Sequence, residues 1–165
     1  MSYCIRGLSP EPFLPLFGVG DEALAANGAR RVVADADSGF PCRVSLEEAT
    51  AGETLILLNF VSNAHGPYRT SHAILVREGA VQPEPFVGRT PPVFAGRTLS
   101  LRGFSADGEM VDAALAAPAE HEQTIHKLLA DPRIDHIDAH NAARGSPPRV
   151  AQARPAMPRR SRPPR

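Results

Sequence analysis

Two periods of apolar and polar alternation run along this chain, and they separate its strands from its helices. "TLILLNFV" (54–61) is a continuous apolar run of strand length, the pattern of a strand buried on both faces. "HAILVREG" (72–79) predicts a second strand, with His72, Ile74 and Val76 on one face because side chains alternate along a strand. "RTLSLRGFS" (97–105) and "MVDAALA" (110–116) flank "ADGE", whose Asp-Gly pair is a strong hairpin turn. "RIDHIDAHNA" (133–142) is strand-like with Ile137 and Ala139 on its apolar side, and "CIRGL" and "RRVVAD" give two shorter strands. The helical period is clearest in "PAEHEQTIHKLLADP" (118–132), where Ile125, Leu128 and Leu129 form a stripe and Pro132 stops the helix.

"GDEALAANGA" (20–29) predicts a helix capped by Gly20 or Asp21, acidic in its first turn and stopped at Asn-Gly. "SLEEATAGE" (45–53) predicts a short one: Ser45 is an N-cap residue and Glu48 stands three positions on, the capping-box spacing. "SPEPFLPLF", with three prolines, is irregular, and "DSGFPCR" and "HGPYRTS" are loops. There is no internal repeat. Strands and helices alternate only in part, so the expected fold is a single α+β domain: a mixed or antiparallel sheet with two or three helices packed on it. The length of 165 residues agrees with one domain and allows a sizeable core.

Charge changes the picture at one place. The net charge is zero, but residues 1–144 carry 12 basic and 18 acidic side chains, and 145–165 carry six arginines and no acid. The segment "GSPPRVAQARPAMPRRSRPPR" also holds six prolines. So few apolar side chains cannot offset the entropy of ordering it, so the domain is expected to span 1–145 and 146–165 to be a disordered tail. Lys127 is the only lysine, which reads as the coding bias of a GC-rich bacterial genome. No apolar run approaches the roughly 18 residues of a membrane span, and the start of the chain lacks an export signal. The expected location is cytoplasmic, without a membrane partner. Cys4 and Cys42 are therefore expected as thiols, and they lack the CxxC spacing of zinc or dithiol redox sites.

The candidate chemistry sits in three stretches. In "HIDAHN" (136–141), His136, Asp138 and His140 share a face at period two. The plain reading is the solvated face of an edge strand; a shared cation is the rival. His136 and His140 stand about 13 Å apart at strand rise, too far to grip one ion, so no metal site and no cofactor is expected. Asn141 suits a turn, where its amide bonds its own backbone, and could equally orient a ligand. In "PCR", Arg43 beside Cys42 favours a thiolate, and His72 or His140 could act as its base; the plain reading of Cys42 is a small buried side chain. "HGPYRTSH" concentrates His65, Tyr68, Arg69, Thr70, Ser71 and His72, a donor set that can grip a carboxylate or phosphate. No Walker, G-x-G-x-x-G, G-x-S-x-G or H-E-x-x-H motif is present.

The blocks "FPCRVSLEEATAGETLILLNF", "PYRTSHAILVREG", "LSLRGFSADGEMVDA" and "ADPRIDHIDAHNAARG" resemble, in that order, a family of small bacterial proteins, domain of unknown function 1203. The likeness covers about residues 2 to 145. It implies a shared fold unit and no mechanism, since the family carries no established activity. Members close the last block with a second histidine in the strand and with Gly-Cys after the Asn. Here Asp138 and Gly145-Ser146 stand at those places, so no role of a terminal cysteine carries over.

Three function classes follow. The leading one is binding of a small, anionic ligand in a pocket made by Arg43, Tyr68, Arg69, Ser71, His72, His140 and Asn141. The second is a small-molecule enzyme using Cys42 with His72 or His140. The third is weak nucleic-acid association through the arginine tail. The pattern specifies no oligomeric state.

Overall fold

A computed structural model describes residues 2–62 and 66–143, and the backbone of 154–155. Among the described residues the strands form three antiparallel three-stranded sheets. The first joins β1 (Tyr3–Ile5) to β5 (Phe86–Val87) on one side and β9 (Arg154–Pro155) on the other. The second runs β2 (Arg30–Val33), β3 (Thr54–Ser62), β4 (Thr70–Arg77), with β3 in the middle. The third runs β7 (Met110–Ala116), β6 (Leu99–Phe104), β8 (His136–Asn141). Helix α1 (Asp21–Ala26) precedes β2, and α2 (His121–Leu129) links β7 to β8. The expected α+β class is the observed one, with antiparallel sheets.

The Asp-Gly turn makes the β6–β7 hairpin, and β8 returns to the other side of β6. One face of this sheet, through Leu99, Leu101, Ile137 and Ala139, packs with Ile125, Leu128 and Leu129 of α2 and with Tyr3, Ile5 and Phe94. Each fully buried aliphatic side chain here stabilises by about 1.5–3 kcal/mol. A second core gathers Ile56, Leu58, Ile74 and Val76 from β3 and β4 with Phe13, Leu24, Cys42 and Val44.

Four expectations are corrected. "TLILLNFV" is central but not buried on both faces throughout: Leu55 is covered by Ala34 and Ala49, while Leu57 is half-buried and Asn59 exposed on the same side. "SPEPFLPLF" is not irregular; Glu11–Leu16 forms a 3-10 helix with Pro12 in its first turn, where a missing N–H costs nothing. "SLEEATAGE" is not a helix. Ser45 Oγ is buried with no hydrogen-bond partner, and Glu48 turns back to accept the Gly39 and Phe40 amides, both at 3.0 Å. Finally, the face of His136, Asp138 and His140 is not solvated. β8 is an edge strand by hydrogen bonding, yet Asp138 and His140 are 1% and 3% exposed.

His65 and the tail 146–165, apart from the backbone of Arg154 and Pro155, lie outside the described residues. Among the described residues no helix is long and apolar enough to cross a membrane.

Candidate functional site

The loop "PCRVSL" (41–46) is buried along its whole length, and tertiary hydrogen bonds hold it from several sides. The Arg43 amide donates to the Leu75 carbonyl of β4 at 3.0 Å, and the Arg43 carbonyl accepts from the Leu8 amide at 2.8 Å. Cys42 bonds Glu47 and Leu46 across a tight turn, and Val93 donates to the Leu46 carbonyl at 3.2 Å. Leu46 takes φ 58°, a left-handed conformation that a branched side chain rarely adopts. Such a residue persists only where its surroundings over-determine it, at a cost on the order of 1–3 kcal/mol.

What this loop presents is Arg43. Its side chain is 5% exposed, and Nε and Nη1 are closed off from solvent with no hydrogen-bond acceptor. Burial, and after it the neighbouring Arg97, lower its pKa to about 9 against the opposing pull of Glu48. Arg97 is itself tied down. Its Nη2 pairs with Glu48, Nη1 donates to the Val93 carbonyl at 2.5 Å, and its own carbonyl accepts from His121 Nε2 at 2.8 Å. Glu48 thus joins the 39–40 loop to Arg97 and sets one rim.

Arg43, Arg97 and Asn141 line a cleft of about 370 Å³ together with Gly39, Pro41, Leu57, Ala73, Ile74 and Leu75. Asn141 reaches it from the end of β8, and its Oδ1 accepts the Ala143 amide at 3.0 Å, the turn expected for it. Two guanidinium groups and an aliphatic wall from β3 and β4 line it together.

The remaining candidates gather elsewhere. Ala73 and Asn141 reach the cleft, but the preceding residues, His72 and His140, meet edge to face with ring centroids 5.4 Å apart. His72 Nε2 shares a hydrogen bond with Thr70 Oγ1 at 2.9 Å, and Thr70 shares one with Ser62 at 3.2 Å. Tyr68 meets Phe104 at 6.0 Å, and Phe104 stacks on His136 at 5.5 Å. Arg69 and Ser71 are exposed and do not line the cleft. Cys42 is fully buried in the core of β3 and β4, with Sγ accepting the Arg77 amide at 3.3 Å. Among the described residues no group of three or more His, Cys, Asp or Glu side chains is arranged to hold a metal ion.

Of the sequence candidates, Arg43 and Asn141 converge on the cleft, while Tyr68 meets Phe104 and His72 meets His140 in two separate ring contacts. Arg97 and the wall residue Leu57 were not among the candidates. Arg97 carries no local mark: it is one of 17 arginines, and its place depends on β6 lying beside β8.

A family model described as a protein of unknown function (DUF1203) matches residues 39–146. The span opens at the cleft's Gly39 and closes beyond Asn141. No curated protein and no solved structure matches the chain.

Proposed function

We propose, for a chain that belongs to the DUF1203 family, that its function is to bind a small anionic ligand in the Arg43–Arg97–Asn141 cleft. The observation that supports this reading is the state of Arg43. A buried guanidinium with unmade hydrogen bonds is costly, and here a second cation stands beside it with one carboxylate, Glu48, between two arginines. An anion in the cleft supplies the missing charge, and each charge-assisted hydrogen bond it accepts contributes about 1.5–3 kcal/mol.

The test is calorimetric titration and thermal unfolding with a panel of small anions (acetate, benzoate, inorganic phosphate, sulfate) against a chloride background. At an anion concentration near 100 Kd, stability should rise by about 2.7 kcal/mol. The Arg43→Met variant should lose both the heat of binding and the rise. If no anion in the panel binds at millimolar concentration, or if the variant responds like the parent, the reading is wrong.

A further inference from the structure

The cleft is lined by two chemistries, and together they specify more than a negative charge. Arg43 and Arg97 bring two positive charges to the lining, and Glu48, paired with Arg97, returns one negative charge. The balance is one positive charge. Asn141 accepts the Ala143 amide at Oδ1 and has two Nδ2 donors to offer a ligand. Each polar side chain lining the cleft thus carries donors, and no carboxylate lines it. The aliphatic wall is made by Pro41, Leu57, Ala73 and Leu75, while the Ile74 side chain belongs to the second core. Ala73 is exposed, and Leu57 and Leu75 are half-buried, so this wall leaves apolar surface open to water. The volume, about 370 Å³, is at the small end for a ligand pocket.

From this we infer that the ligand is a singly charged carboxylate with a short apolar body. Its head lies at Arg43, Arg97 and Asn141, and its body lies along Leu57, Ala73 and Leu75. This rests on the anion-binding reading above and narrows it. A monocarboxylate neutralises the single unbalanced charge, and its acceptor-only head meets donors on all three polar side chains. A phosphate dianion would leave the cleft negative and place its second charge near Glu48. It would also leave the aliphatic wall uncovered.

The experiment is titration calorimetry of the full chain with acetate, butyrate and hexanoate, inorganic phosphate as a head without a body, and hexanamide as a body without the charge. Affinity should rise about fourfold for each added methylene, the factor that burial of one such group supplies, and hexanamide should bind at least tenfold more weakly than hexanoate. An Ala73→Asp variant, altered only at an exposed wall position, should flatten the chain-length dependence. Phosphate binding as tightly as hexanoate, or a flat series, would overturn the carboxylate inference while leaving the anion reading intact. Equal affinity for hexanamide and hexanoate, or no binding by any of these compounds, would overturn both.

Discussion

Removing Arg43 should make the ligand-free protein more stable. The perturbation is Arg43→Met, which keeps an unbranched chain of similar reach and deletes the charge. A guanidinium held at about 9 in the folded protein, well below the ordinary arginine value, carries a penalty on the order of 4–5 kcal/mol for its charge at neutral pH. That is an upper bound, since the shorter side chain leaves a void whose cost returns part of the gain. Exchanging buried ionic groups for apolar ones in other proteins gains about 1–4 kcal/mol, so a net gain of about 1–3 kcal/mol is expected. Urea unfolding at pH 7 in low-anion buffer reads it as a higher midpoint with an unchanged slope. Urea is the right denaturant because it adds no ions.

The same reasoning fixes a pH dependence. The folded-state pKa of Arg43 is depressed, so from about 9 up to the ordinary arginine value the unfolded chain binds more protons than the folded one. Stability contributed by this group therefore rises with pH across that window. Below about 9 both states hold the proton and the whole penalty is present. The parent protein should gain stability relative to Arg43→Met as pH climbs from 8 to 10.5. A variant destabilised by more than about 1 kcal/mol, well beyond what a void of this size costs, would refute the argument. So would identical alkaline limbs: in either case Arg43 is a satisfied structural residue.

Other perturbations read the scaffold. A Cβ at Gly7 would stand 2.0 Å from the Val44 carbonyl oxygen of the arginine loop. Gly7→Ala should therefore cost about 3 kcal/mol or more, beyond the usual range for a point change, and weaken anion binding with it; a neutral result in chemical unfolding would show that the N-terminal segment does not brace the loop. Ile56→Ala, at a fully buried position, should cost about 2–5 kcal/mol, and Leu57→Ala, on the half-open wall, less than half of that; equal costs would mean the wall is packed. Glu78 is held below its ordinary pKa by Arg31 and by the Gly18 amide. Its contribution is present above pH 4.5 and lost as pH falls below it. Glu78→Gln should cost about 1 kcal/mol or less at pH 7, as partly exposed pairs do, and reduce the loss of stability between pH 5 and 3. Parallel acid limbs for parent and variant would remove the pair from the account.

The strands and α2 were legible because each is decided locally. Period two in "HAILVREG", the Asp-Gly turn and the Ile125–Leu128–Leu129 stripe need no knowledge of what they pack against. The face of His136, Asp138 and His140 was legible as a face, but its burial was not. β8 presents it beside the start of β4, and which sheet edges meet is not written in either strand. Arg43 could be found because a cation in a loop next to a thiol is conspicuous. Arg97 could not, since its role comes from Glu48 and His121, which come near it only on folding, and from the carbonyl of Val93, which is neutral in pattern.

The places where local rules fail are themselves informative. The capping box at Ser45 and Glu48 is intact in the sequence and unused in the fold. A leucine takes a left-handed conformation two residues before Glu48, and an arginine is buried with unmade hydrogen bonds three residues before that leucine. All of these fall within residues 43–48. Natural chains give up local consistency mostly where function demands it, and a helix here would have satisfied Ser45 and Glu48 at once. What the unwound loop achieves instead is a set of backbone bonds to β4, Leu8 and Val93 that no helix could make, and a Glu48 carboxylate free to hold Arg97 at the rim. The strain, the lost cap and the desolvated cation are costs carried by one loop. On the anion-binding proposal they serve the cleft they surround, and the ligand-free gain expected for Arg43→Met and its loss of binding are two readings of one arrangement.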